Sequence, residues 1–225
     1  MLVERDGPDG TTRVLIDSSP DLRAQLLDAG IGVLNGVAYT HQHADHVHGL
    51  DDLRMIVFNT RERLPIWADD ATREALTNRF GYAFFQPEWS SYPPILKLNR
   101  IEGPFTVDGP GGSIELSPFR AVHGDIHALG FRIGPLAYLP DVSEMTDEAW
   151  QAVTGIDCWV VDALRRSPHP SHAHLDRTLE WIDRAKPGRA ILTNMHIDLD
   201  YATVDAETPE HVTPAHDGLV LRYEV

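Results

Sequence analysis

With 225 residues, 42% of them apolar and 24% charged, the chain has material for one sizeable domain spanning 1–225 and too little for two of ordinary size. No run approaches the roughly 20 apolar residues of a membrane span, and the start, MLVERDGPDG, has acidic residues and a turn where an export signal would have a basic start and an apolar run. A net charge of −15, from 34 acidic and 19 basic residues, has the wrong sign for a surface that grips a nucleic-acid polymer, and the single cysteine, Cys158, has no internal partner, so a cytoplasmic location is expected.

In chain order, short β-branched runs alternate with amphipathic stretches. Strands are predicted at 13–17, 37–40, 65–68, 114–122, 129–133, 136–139, 159–163, 190–193 and 219–223. A first helix is predicted over 20–29, capped by Ser19, with Pro20 in its first turn and Gly30 as its stop. Further helices are expected at 50–59, 70–79, 146–153 and 175–185, the last closed by Pro187-Gly188. Between Phe80 and Asn99 runs FGYAFFQPEWSSYPPILKLN, aromatic-rich and interrupted by adjacent prolines. It reads either as a surface connection with its own apolar cluster or as a wall of the functional site. Strands mixed with helices throughout imply an α/β architecture.

The chemistry concentrates in Thr40-His41-Gln42-His43-Ala44-Asp45-His46, directly after the apolar run GVAY. In extended chain His41 and His43 point to the same side, and Asp45 and His46 follow where the chain turns toward the next helix. Imidazole and carboxylate are the donors that suit zinc, manganese or iron. Four such groups within six residues are costly to crowd together without a cation.

HxHxDH after a buried strand resembles the signature of the metallo-β-lactamase superfamily. The resemblance extends along the chain. LIDSSPD is similar to the strand ending in an aspartate, here Asp17. AVHGDIHALGFRIG is similar to the hairpin carrying a third histidine, here His123. LAYLPDVSEM is similar to the strand ending in the bridging aspartate, here Asp141. Within the superfamily the pattern most resembles the PhnP-like cyclic phosphodiesterases, with tRNase Z more distant. The resemblance implies a four-layer αβ/βα sandwich and two divalent ions, Zn2+ or Mn2+. One ion would be held by His41, His43 and His123, the other by Asp45, His46 and a late histidine, with Asp141 bridging.

Two features depart from the pattern. Relatives usually read Leu-Thr-His late in the chain, whereas here Leu192-Thr193-Asn194 stands. His196, two residues on, keeps strand parity and is expected as the replacement ligand. Relatives also begin with a glycine-rich strand before the first one seen here, and the fold is expected to lack it.

Beyond the ligands, a histidine just before the helix at Leu175 is implied as the acid for the leaving group. That falls on His172, with His174 and His169 as competitors. Arg165, Arg166 and His127 are candidate substrate contacts, and His174 is a fourth if it is not the acid. The function expected is hydrolysis of a small cyclic or nucleotide-like phosphodiester by a metal-bridging hydroxide, with Asp45, Asp141 and His172 as the catalytic residues. Thioester, lactone or β-lactam hydrolysis on the same fold is the first rival, and a non-catalytic metal-binding relative is another. The charge weighs against tRNA processing. A small-molecule partner, no membrane, and a homodimer on general frequency complete the expectations.

Overall fold

The computed structural model describes residues 1–223, and the chain divides into two compact units, Met1–Glu115 and Leu116–Val225. In the first unit, β1 (Leu2–Gly7) and β2 (Gly10–Ile16) form an antiparallel hairpin. Parallel strands β3 (Gly36–Ala38), β4 (Leu64–Ala68) and β5 (Leu96–Arg100) then extend the sheet in the order β1-β2-β3-β4-β5. Short strand β6 (Phe105–Val107) follows β5 in the chain.

Helix α1 (Leu22–Asp28) starts two residues later than predicted, with Asp21 rather than Ser19 at its cap. Four-residue α2 (Ala44–Val47) leads through a 3-10 turn, Leu50–Asp52, into α3 (Leu53–Thr60). Helix α4 (Asp70–Phe84) is capped by Asp69, whose carboxylate accepts from the Thr72 N–H at 2.9 Å. It runs past Arg79, where sequence periodicity ended it, by kinking at Phe80 (φ −127°, ψ 30°). Tyr39, Leu50, Leu53, Ile66, Leu76 and Leu96 are fully buried in this unit's core.

The second unit is built on β7 (Ile114–His123), β8 (Ile126–Ile133), β9 (Leu136–Leu139), β10 (Cys158–Asp162), β11 (Arg189–Thr193) and β12 (Val212–Pro214). Their order is β12-β11-β10-β9-β8-β7. β7, β8 and β9 form an antiparallel meander, and β9 to β12 pair in parallel. Three helices complete it: α5 (Asp147–Ala152), α6 (Leu175–Ala185) and α7 (Tyr201–Glu207). Thr146 is the N-cap of α5, its hydroxyl accepting from the Ala149 N–H at 3.0 Å. In α6, Leu175, Thr178, Trp181 and Ile182 recur at helical spacing and are buried, which explains why its bounds were predicted to the residue. The strand expected at 219–223 does not form; the last strand among the described residues comes earlier, at β12, against β11.

Strand register positions the functional side chains. In the first unit Ile16 pairs with Ala38, so the residues leaving β2 and β3 emerge side by side. In the second, Leu139 pairs with Val161 and Asp162 with Thr193, which aligns the exits of β9, β10 and β11. Carboxyl ends of parallel strands are where open α/β sheets present their ligand-binding groups.

Candidate metal and reaction site

In the first unit Asp17 leaves β2 in the left-handed region (φ 60°), a conformation that aspartate tolerates better than most residues. Its carboxylate is buried and accepts three hydrogen bonds at 2.8 Å: the Thr40 N–H, the Thr40 hydroxyl and His46 Nδ1. The hydroxyl's one proton is thereby used on Asp17. Its oxygen, 3.0 Å from His41 Nδ1, must then accept from that nitrogen. Both imidazoles thus carry their proton on Nδ1 and turn Nε2 outward as a lone pair, the tautomer a metal requires.

The outward nitrogens meet other donors. His41 Nε2 lies 3.0 Å from His43 Nδ1, and His46 Nε2 lies 3.4 Å from Asp45 Oδ2. Two imidazole nitrogens at such a separation require a proton or a cation between them. This donor set, backed by buried acceptors, fits a divalent ion of the zinc or manganese type.

The signature helix is locked to the Asp17 loop by backbone bonds. The Ser18 N–H donates to the His46 carbonyl at 2.8 Å and the Gly49 N–H to the Ser18 carbonyl at 3.0 Å. Only a glycine fits at 49, because a Cβ there would stand on the Ser19 carbonyl oxygen.

In the second unit His123 ends β7, buried, and its Nδ1 donates to the Ser171 carbonyl at 2.6 Å. Its Nε2 lies 3.4 Å from Oδ2 of buried Asp141, which leaves β9. His172 donates Nδ1–H to Asp162 Oδ2 at 2.9 Å, and its ring stands edge-on to that of His123, centroids 4.7 Å apart. Asp162 also accepts the Val142 N–H at 3.1 Å, again on Oδ2, while its buried Oδ1 has no partner among the described residues. Burial first of all pushes the Asp162 carboxyl up to about 7, against the pull of His172.

His196 is not brought to these donors. Asn194 takes a left-handed conformation (φ 60°), which ends the alternation of β11 and removes the parity on which the sequence argument rested. The His196 side chain is 61% exposed, with Nδ1 3.8 Å from Asp198, while its backbone N–H donates to the Leu164 carbonyl. Asn194 itself reaches inward, donating from Nδ2 to Asp141 Oδ1 at 3.1 Å.

The remaining candidates are placed as follows. His174 is the N-cap of α6 and makes no side-chain cap bond. His169 Nδ1 accepts from the Ser171 N–H at 3.3 Å. Arg165 folds onto its own loop, donating to the Ser167 and Pro168 carbonyls at 3.0 and 2.6 Å, and Arg166 pairs with Glu207 at 2.8 Å. His127 is exposed on β8 opposite Val122. Sequence reasoning missed two supports: the Ser171 carbonyl, which no side-chain pattern announces, and Asn194, read only as a missing ligand.

A model of the beta-lactamase superfamily domain matches residues 12–197. A solved structure, described as a new diphosphatase from the PhnP family, superposes with a TM-score of 0.85 at 32% identity, covering 95% of this chain and 81% of that one. Zn2+-bound PqqB from Methylobacterium extorquens superposes with a TM-score of 0.72 at 19% identity, covering 99% of this chain and 86% of its own, a likeness of fold. Among curated relatives, an octanoyltransferase of Porphyromonas gingivalis is 33% identical over 218 residues. The match takes in 94% of this chain but 42% of that protein, so the chain spans about two fifths of that relative's length. The mixed α/β architecture with two sheets is the metallo-β-lactamase fold. No helix among the described residues is long and apolar enough to cross a membrane.

Proposed function

We propose that this chain, which belongs to the beta-lactamase superfamily, is a metal-dependent phosphodiesterase that hydrolyses a small phosphodiester. The observation that carries the reading is the Asp162–His172 pair beside His123: an imidazole oriented by a buried carboxyl, with Nε2 turned away from it. Similarity to the PhnP-family diphosphatase supports the same class.

His41, His43 and His123 would hold one divalent ion, Asp45 and His46 a second, and Asp141 both; the zinc in the PqqB relative supports zinc as one of them. When bound, such a pair supplies a water of depressed pKa and positive charge against the phosphoryl oxygens. The protein's own work is positioning. Asp17 and Thr40 fix the tautomers of His46 and His41, and the Ser171 carbonyl fixes that of His123. Asn194 holds Asp141 by its Oδ1. His172, steadied by Asp162, delivers a proton from Nε2 to the departing alkoxide. The substrate is a small molecule, since the −15 net charge disfavours a polyanion.

A second reading, hydrolysis of an acyl ester or thioester, is favoured by the octanoyltransferase relative. Zn2+- and Mn2+-reconstituted protein assayed on bis-p-nitrophenyl phosphate, lactoyl-glutathione and nitrocefin separates the two. Turnover confined to the phosphodiester is expected; turnover of the acyl compounds alone overturns the assignment.

A further inference from the structure

The segment that the sequence left between two readings closes a cleft in the first unit that the chemistry above does not use. Arg54 and Phe58 of α3, Tyr82 of α4, and Trp89, Ser90 and Tyr92 line a cavity of about 410 Å3. That is within the ~300–1,000 Å3 range of small-ligand pockets. Four of these residues are aromatic, and each leaves ring surface in water: Trp89 is 88% exposed and Tyr92 76%, with Phe58 and Tyr82 about half exposed.

Hydrogen bonds tie both sides of the cleft. Because α4 kinks at Phe80, Tyr82 reaches back and donates its hydroxyl to Asp51 at 3.0 Å, and Asp51 is held in turn by Arg54 at 2.9 Å. The opposite wall is tied by its own bonds: Gln86 Nε2 to the Ser90 carbonyl at 2.8 Å, the Ser90 N–H to the Pro87 carbonyl at 2.9 Å, and the Tyr92 N–H to Ser90 Oγ at 3.2 Å. Pro87, Pro93 and Pro94 stiffen it further. A cluster of exposed rings beside a guanidinium suits a planar, polar aromatic ring, which stacks on the faces and offers acceptors to Arg54 and Ser90.

Chain distance selects which ring. Arg54, the first lining residue in the chain, is eight residues beyond His46, on the run of turns that carries the signature into α3. The span is about 12 Å at helical rise. A nucleotide places its base and its phosphate at a separation of this order.

We propose that this cleft binds the nucleobase of a nucleotide-type phosphodiester whose phosphate is presented to Asp45 and His46. The proposal deepens the phosphodiesterase reading and rests on it for the position of the phosphate.

Binding is tested apart from turnover. Titration calorimetry of the metal-free protein with adenosine 5′-monophosphate and with ribose 5-phosphate should give at least tenfold tighter binding of the former, since one stacked base corresponds to about a tenfold gain or more. In Trp89→Ala and Tyr92→Ala the preference should fall about tenfold, and Trp89→Phe should restore most of it. Both positions are exposed, and circular dichroism melts verify folding. With reconstituted protein, the ratio of kcat/KM for thymidine 5′-p-nitrophenyl phosphate over methyl p-nitrophenyl phosphate should drop by the same factor in the alanine variants. Equal binding of the two monophosphates, or an unchanged preference in both alanine variants, refutes the cleft. A dimer in sedimentation that Trp89→Ala dissociates also refutes it, by making the patch a self-association surface. Base-dependent binding without hydrolysis of any phosphodiester keeps the cleft and refutes the reaction, so the two failures are distinct.

Discussion

Replacing Asp17 tests whether the metal-site tautomers are set from behind. Its carboxylate takes three donors in a buried position, so Asp17→Ala strands the Thr40 N–H, the Thr40 hydroxyl and His46 Nδ1 together. At about 1–3 kcal/mol for each unsatisfied buried donor, partly offset by relaxation and entering water, a loss of about 3 kcal/mol is expected. For a chain of this size that lowers Tm by about 10 °C.

Asp17→Asn separates folding from binding. If the amide oxygen keeps the Thr40 N–H, the NH2 group faces the Thr40 hydroxyl and His46 Nδ1, which must both become acceptors. The Thr40 proton then turns to His41 Nδ1, and both imidazoles are forced to carry their proton on Nε2, where the metal belongs. The asparagine variant should therefore melt within a few degrees of the parent. Its zinc affinity, by competition against a chromophoric chelator, should fall by the ~10- to 100-fold associated with outer-shell partners of ligating histidines. An asparagine variant that binds zinc as tightly as the parent would falsify the tautomer argument.

Three further outcomes follow from the second unit. His172→Ala should lower kcat by about 10²- to 10⁴-fold on a dialkyl phosphodiester, and far less on a p-nitrophenyl ester whose leaving group needs no proton; equal losses on both would remove the acid role. For Asp162, a folded pKa of about 7 lies above the unfolded value near 3.8, so the folded state holds the extra proton. Stability of the metal-free protein should then fall as pH rises between these values, by up to roughly 4 kcal/mol, and Asp162→Asn should flatten the urea-melt profile across that window. A Cβ on Gly130 would stand inside the buried ring of Phe119, so Gly130→Ala should cost about 1–3 kcal/mol in denaturant unfolding; an unchanged midpoint would show that the ring yields freely.

How much of this was legible beforehand follows from what each feature depends on. The HxHxDH cluster was readable because its donor groups are local, and α6 because its buried face recurs every three to four residues. β5 and β12 were missed since neither announces itself: LKLNR follows two prolines and VTP ends in one. Their strand character comes from neighbours, β4 and β11, that a single sequence does not display. The His196 expectation assumed that extended geometry continued beyond Thr193, and a single left-handed residue, Asn194, reversed it. No periodicity argument sees a backbone carbonyl such as that of Ser171 at all.

The two buried aspartates behind the histidines are built for different work, and their hydrogen bonds show why. Asp17 is ringed by three donors spread over both oxygens, so it serves as an acceptor only and holds Nδ1 protons in place. Asp162 puts its donors, His172 and the Val142 N–H, on Oδ2 and leaves Oδ1 buried without a partner. A carboxyl with one bare buried oxygen is where a proton costs least to place, which is why burial lifts it toward neutrality. The first arrangement suits an imidazole that must keep one tautomer under a cation. The second suits an imidazole that must give a proton up and take it back, because its support can share the charge at each step. The division of labour assigned to His46 and His172 therefore rests on the unequal loading of the carboxylates behind them.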